Sequence, residues 1–246
     1  MSKKSEMTRR SFLKATGIAA GAAALSGGIL SAAPVESQAA ETHHTAPVSS
    51  ENSKTSPKGR MFFTNDLEFS TLSEASERIF PKDENGPGAK ELGVPFFIDN
   101  QLAGAFGNNA REYMSGPFSQ GAPTQGYQTA LFKKDLFIQG LLALNKQSQT
   151  VFKKNFPDLS DTEKDQILKM CESGSIQTEG FTSSYFFSVL RSAVIAGVYA
   201  DPIYSGNNSM NGWRMKKYPG AQMSYYDIMT SGKFENIAPM SLSDMY

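Results

Sequence analysis

The 246-residue chain is poor in the side chains that hold metals and redox groups: it has two histidines, His43 and His44, one cysteine, Cys171, and one tryptophan, Trp213. A haem attachment Cys-x-x-Cys-His, an iron–sulfur cysteine set, a zinc cluster and a metalloprotease His-Glu-x-x-His all need more than this inventory supplies. No Gly-x-Gly-x-x-Gly follows a strand-like run, so no dinucleotide-binding turn is marked. Period-two alternation hardly extends beyond four residues, which argues against a sheet. Internal repeats are absent as well. An excess of charge is also missing, with Lys+Arg 24 and Asp+Glu 24. Setting aside the five basic and two acidic residues of 1–40 leaves 19 against 22, a net charge of −3. That balance suggests neither nucleic acid nor an anionic membrane surface as partner.

What is present begins with an address. Lys3, Lys4, Arg9, Arg10 and Lys14 precede a Gly/Ala-rich apolar stretch, Ala15 to Leu30, which is too short and too weakly apolar to span a membrane comfortably. Thr8-Arg9-Arg10-Ser11-Phe12-Leu13-Lys14 matches the twin-arginine export signal almost position by position, with Arg9, Arg10, Phe12 and Leu13 carrying the match. The twin-arginine translocase is thus an expected partner, and the protein is expected in the periplasm or on the outer face of the cytoplasmic membrane. Ser37-Gln38-Ala39 or Gln38-Ala39-Ala40 offers the small residues a signal peptidase needs, so 1–40 is taken as the signal peptide. A retained signal would instead form a membrane anchor. Folded export usually serves a cofactor loaded inside the cell; this chain has almost nothing to hold one, so the signal is expected to serve a cofactor-bearing companion. Residues 41–60 are Ser-, Thr-, Pro- and Lys-rich and read as a disordered linker. Cleavage after Ala40 would make Glu41-Thr42-His43 a copper-binding amino terminus, but a solvated linker explains those residues without it.

From residue 61 the composition is that of a folded domain, taken as 61–222, with a C-terminal tail over 223–246. The fold class expected is all-α: a single helical domain with long irregular loops. Thr64 can cap a helix with a stripe at Leu67, Phe69, Leu72, Ser76, Ile79 and Phe80 that Pro81 stops. Pro95 opens a short helix through Ile98, Leu102 and Phe106. Tyr127 to Asn145 is the longest helix candidate, apolar on much of its circumference and so central. Ser160-Asp161-Thr162-Glu163 is a capping box, starting a helix through Ile167, Leu168 and Cys171 that Gly174 closes. Phe181 to Val198 is the last long helix, ended ahead of Pro202.

The stretch behind that helix is a long segment without periodicity, which inside a compact domain is functional or disordered. Ile203, Tyr204, Met210, Trp213, Met215 and Tyr218 argue for an ordered loop. Its turns are expected to rest on Gly206, Gly212 and Gly220 and its ring anchors to be Tyr204 and Trp213. The pattern Ala-Asp-Pro-Ile-Tyr-x-Gly-Asn-x4-Gly-Trp-x4-Tyr-Pro-Gly, placing Tyr199, Asp201, Pro202, Tyr204, Gly206, Asn207, Gly212, Trp213, Tyr218, Pro219 and Gly220 in or beside it, resembles the gluconate 2-dehydrogenase subunit 3 family. These are the small subunits of membrane-bound, FAD-dependent sugar and sugar-acid dehydrogenases. The resemblance runs from about Phe63 to Pro219; Ser205 stands where the family often has a second Gly, and Asn208-Ser209 where a basic–acidic pair is common. It implies a non-catalytic accessory subunit with no cofactor of its own. The partner it implies is a large GMC-type dehydrogenase subunit carrying FAD, often with a cytochrome c subunit beside it.

Plainer and sharper readings compete at single residues. Cys171 is either a thiol buried on the helical face it shares with Ile167 or one end of a disulfide to another chain, and the buried thiol is favoured. Asp201 has no second acid or base nearby in sequence and suits the turn after Pro202 better than catalysis. Trp213 reads as a loop anchor before a sugar-stacking ring. Asp83-Glu84 and Asp161 to Glu163 could form a carboxylate pair acting on carbohydrate, but a loop and a helix's first turn explain them locally. A self-contained carboxylate enzyme and a surface binding module are thus the alternatives. The apolar tail, with Met223, Tyr225, Tyr226, Met229 and Phe234, either folds back or covers a partner, and partner contact is favoured.

Overall fold

Asn65 starts the first helix, α1 (Asp66–Ile79): its side chain accepts the Leu67 N–H at 2.9 Å, with Asp66 and Glu68 in the first turn. The cap thus falls one residue beyond the Thr64 expected from sequence. The structure is a computed structural model that describes residues 59–119 and 121–245. The twin-arginine segment with Arg9, Arg10, Phe12 and Leu13, both histidines and 41–58 of the linker lie outside the described residues. α2 (Val94–Ala103) opens with Pro95 in its first turn. Its Asp99 is fully buried and accepts backbone N–H groups from Met61, Phe62 and Phe63, the last at 2.8 Å. One carboxylate thereby pins the entry of the domain to a helix some 36 to 38 residues on.

The central helix α3 (Lys133–Phe152) lies further along the chain than the expected Tyr127–Asn145. Residues 127–132 stay out of it because Tyr127 is committed elsewhere. Its ring stacks on Tyr185 at 4.0 Å between centroids, and its hydroxyl accepts the Thr182 N–H at 2.9 Å. The capping box forms as the sequence predicts: Glu163 accepts the Ser160 N–H at 2.7 Å and the Ser160 hydroxyl at 2.8 Å, opening α4 (Asp161–Glu172). Those bonds, the backbone one first, hold the Glu163 carboxyl below its ordinary pKa. α5 (Ser183–Tyr199) is capped by Thr182. Two short helices follow that no period announced, α6 (Asn211–Lys216) and α7 (Tyr226–Ser231). Among the described residues the only β-type pairings are isolated bridges, Asp83 with Gly86 and Gly220 with Met240, so the fold is all-α.

α5 packs on α4 and α2, and α1 lies across α2, α3 and α4. The shared interior holds Leu72, Ile98, Leu102, Phe137, Leu141, Leu144, Ile167, Phe186, Leu190, Val194 and Val198, all essentially without solvent contact. Polar ties stitch the same helices. Arg78 of α1 grips Asp165 through Nε and Nη2, both at 2.8 Å, and reaches Asp161 with Nη1 at 2.8 Å. Asn145 of α3 donates to the Thr71 hydroxyl at 2.7 Å and accepts the Phe156 N–H at 3.0 Å. Cys171 is buried as a free thiol, donating to the Ser183 carbonyl at 3.3 Å; burial, then the charge of Glu172, pushes its pKa up to about 12. Such a thiol is unreactive in the folded chain. A thiol reagent at pH 8 should label none of it until denaturant unfolds the protein, and stoichiometric labelling of the native chain would contradict this placement.

Glu74 joins two lysines, Lys164 at 2.7 Å and Lys90, with Lys164 almost fully buried. Burial opposes the charged form of Glu74, but the hydrogen bonds from Lys164 and then Lys90 outweigh it and set its pKa below the ordinary 4.5. A carboxyl depressed in the folded state adds stability above its unfolded pKa and loses it as pH falls through the folded value. Glu74→Gln should therefore cost about 1–3 kcal/mol at pH 7 by leaving Lys164 unpaired. The gap between wild type and variant in urea midpoint should close as the pH is stepped below 4.5.

Candidate functional site

A helix leaves its last four carbonyls without partners inside the helix. α5 meets this at a sharp stop, since Ala200 is extended ahead of Asp201-Pro202. The chain after Pro202 turns back over that end and supplies donors. Trp213 Nε1 donates to the Tyr199 carbonyl at 2.8 Å, and the fully buried Asn207 donates through Nδ2 to the Ala200 carbonyl at 2.8 Å. The other half of the Asn207 amide, Oδ1, accepts the Gly212 N–H at 2.7 Å and so closes the loop on itself.

Gly206 and Gly212 cross the helix end in contact. A Cβ at 206 would overlap the Gly197 carbonyl, and one at 212 the Val198 carbonyl, with Asn207 Oδ1 at 2.8 Å besides. Their role is close approach. The left-handed backbone of the loop falls on Ser205 (φ 72°), Asn207 (48°), Ser209 (55°), Met210 (57°) and Lys217 (52°), and of the signature glycines only Gly220 has it, at 72°. Ser205 thus carries a conformation that suits Gly. Its hydroxyl recovers a hydrogen bond from Asn100 Nδ2 at 2.9 Å. Between these turns the segment is helical in pieces: 3-10 turns at Pro202–Tyr204 and Asn208–Met210, then α6.

Trp213 is the ring anchor, 6% exposed, with Tyr218 edge-on at 5.5 Å. Tyr204 is not an anchor: it is 52% exposed, because the 3-10 turn after Asp201 carries it outward. Tyr199 faces Phe80 edge-on at 6.4 Å and lies under the Lys216 ammonium at 5.6 Å. Contacts from distant sequence, for which the chain carries no local signal, complete the site. Asn208 donates through its backbone N–H to the Leu92 carbonyl at 3.1 Å and through Nδ2 to the Glu91 carbonyl at 2.7 Å. Pro219 accepts the Met240 N–H at 3.1 Å.

The Asp201 carboxylate accepts three bonds: the Ile203 N–H at 3.0 Å, the Ser241 hydroxyl at 2.6 Å and the Leu242 N–H at 2.9 Å. The first is the turn predicted from Asp-Pro; the other two bring the end of the tail home. Of the other acids singled out in the sequence, Asp83 accepts the Asn85 N–H at 2.8 Å and Glu163 caps α4, while Asp161 holds Arg78 of α1. A cavity of about 510 Å³ beside α2 is lined by Asn100, Gln101, Phe106, Asn109, Arg111 and Glu112, the last paired with Lys133. Among the described residues no three His, Cys, Asp or Glu gather as metal ligands, and no helix is long and apolar enough to cross a membrane.

Since Trp213 both fills space and satisfies the helix end, Trp213→Ala should cost about 3–5 kcal/mol. Much of a typical domain's 5–15 kcal/mol would go with it. The isolated chain should melt far lower and fail to assemble. A variant of unchanged melting temperature would show the ring to serve a ligand instead.

Residues 6–26 match the TAT (twin-arginine translocation) pathway signal sequence, so the chain is exported across the cytoplasmic membrane. No curated protein and no solved structure matches. The match to Gluconate 2-dehydrogenase subunit 3 runs over residues 66–220, from the first residue of α1 to the last glycine of the signature loop, and the chain belongs to that family.

Proposed function

We propose that this chain is the non-catalytic accessory subunit of an exported flavoprotein dehydrogenase. It binds and stabilises a large GMC-type subunit that carries FAD, and takes it through the twin-arginine translocase to the periplasm or the outer face of the cytoplasmic membrane. Complexes of this kind often include a cytochrome c subunit as well. The observation that carries the reading is the order of parts: a signal for folded cargo, then a domain of a family of dehydrogenase subunits.

The local chemistry supports it. A flavin's phosphates are usually cradled by free backbone N–H groups at a loop or helix start. In the signature loop the N–H of Asn208 is spent on Leu92, that of Met210 on Asn207 and that of Gly212 on the Asn207 side chain. The Asp201 carboxylate, with three donors already, is poorly placed to act as a base. The reading puts FAD in the partner and gives this chain the work of assembly.

Deleting residues 1–39 tests the carrier role. Flavoprotein dehydrogenase activity should then remain in the cytoplasm, with this subunit bound to it, while replacing Arg9 and Arg10 by lysine should give the same distribution. Export of the flavoprotein at the wild-type level from either strain would defeat the idea.

A further inference from the structure

Beyond Gly220, where the family match stops, the chain leaves the signature loop and comes back to it. Ala221 N–H donates to the Met240 carbonyl at 2.8 Å, Met240 N–H returns to Pro219 at 3.1 Å, and Gln222 Nε2 reaches Pro219 at 2.7 Å. One residue further, Asp201 holds Ser241 and Leu242. Both ends of 221–240 are thus fixed at one place on the rigid loop. Between them Met223 is 84% exposed, Tyr226 71%, Met229 79% and Phe234 93%. A segment tied down at both ends could lay its large side chains on its own domain, and these remain in solvent. Met and aromatic residues are the types that dominate the cores and hot spots of protein interfaces. The charges within the segment are Asp227, Lys233 and Glu235, one basic among three, so it lacks the cationic face by which lipid surfaces or nucleic acids are gripped. Family membership independently gives this chain a companion subunit.

We propose that residues 221–240 are a docking arm that enters an apolar groove of the large flavoprotein subunit, with Phe234 and Met229 as its anchors. Asp201 is a positioning residue: by fixing the return of the chain it keeps the arm closed before binding, so less order has to be created in the complex. The proposal rests on the accessory-subunit reading and adds the surface through which it works.

The test uses the full chain purified with and without the flavoprotein subunit. Met229→Ser combined with Phe234→Ser should weaken binding of that subunit by at least about tenfold and leave the melting temperature of the free chain unchanged. Asp201→Ala, and more mildly Ser241→Ala, should speed proteolysis within 221–240 and weaken binding severalfold, with dehydrogenase turnover of the assembled complex unaltered. Wild-type affinity in the double variant overturns the arm while leaving the accessory role standing. A drop in its melting temperature also overturns the arm, since the two side chains would then serve their own domain. So does a loss of self-association or of vesicle binding in place of flavoprotein binding. A wild-type chain that does not bind the flavoprotein at all overturns the accessory reading and the arm together.

Discussion

The constraint on which the structure turns is the blunt end of α5. This helix is the hub of the interior, and a proline two residues beyond its cap forbids continuation, so its terminal carbonyls must be met from elsewhere. The signature residues divide that work. Asn207 and Trp213 bring donors, and Gly206 and Gly212 give up their side chains so that the backbone can come close enough for the donors to reach. Tyr218 and Gly220 then shape the space around the indole. What looks in sequence like a binding motif is, in its interior half, an extended helix cap built from some twenty residues.

The cap also distributes rigidity. It is bonded to the loop ahead of α2 through Asn208 and to α2 itself through Ser205, so the end of α5, the start of α2 and the tail's two ends are held as one block. Hydrogen bonds buried in such a block gain strength from their low-dielectric surroundings, and an unmade one is correspondingly costly. Tyr204, Ile203 and Leu242 stand on its outer side, half in solvent, next to where the tail departs.

Local rules explain why much of this was legible in the sequence. The Ser160–Glu163 box, Pro95 at a helix start, the stop before Pro202 and the buried Cys171 all follow from spacing within a turn or two. The failures share a cause, which is a partner far along the chain. Tyr127 looks like the start of a helix until Tyr185 and Thr182 claim it. Tyr204 looks like an anchor because its ring is large and apolar, yet the 3-10 turn after Asp201 carries it outward. Asp201 shows its turn in the sequence and conceals its hold on Ser241, 40 residues away. The family resemblance did supply what periodicity could not, that the stretch is a unit, without saying which of its residues face inward.

Cys171 has a consequence for the protein's chemical history. Thiols last in the reducing cytoplasm and are oxidised outside it. A chain threaded unfolded across the membrane would present its only cysteine to that oxidising side before any interior existed to cover it. Here the sulfur lies on α4, out of solvent and bonded to the Ser183 carbonyl at the start of α5. Burial of this kind lets an exported protein retain an unpaired cysteine as a packing atom.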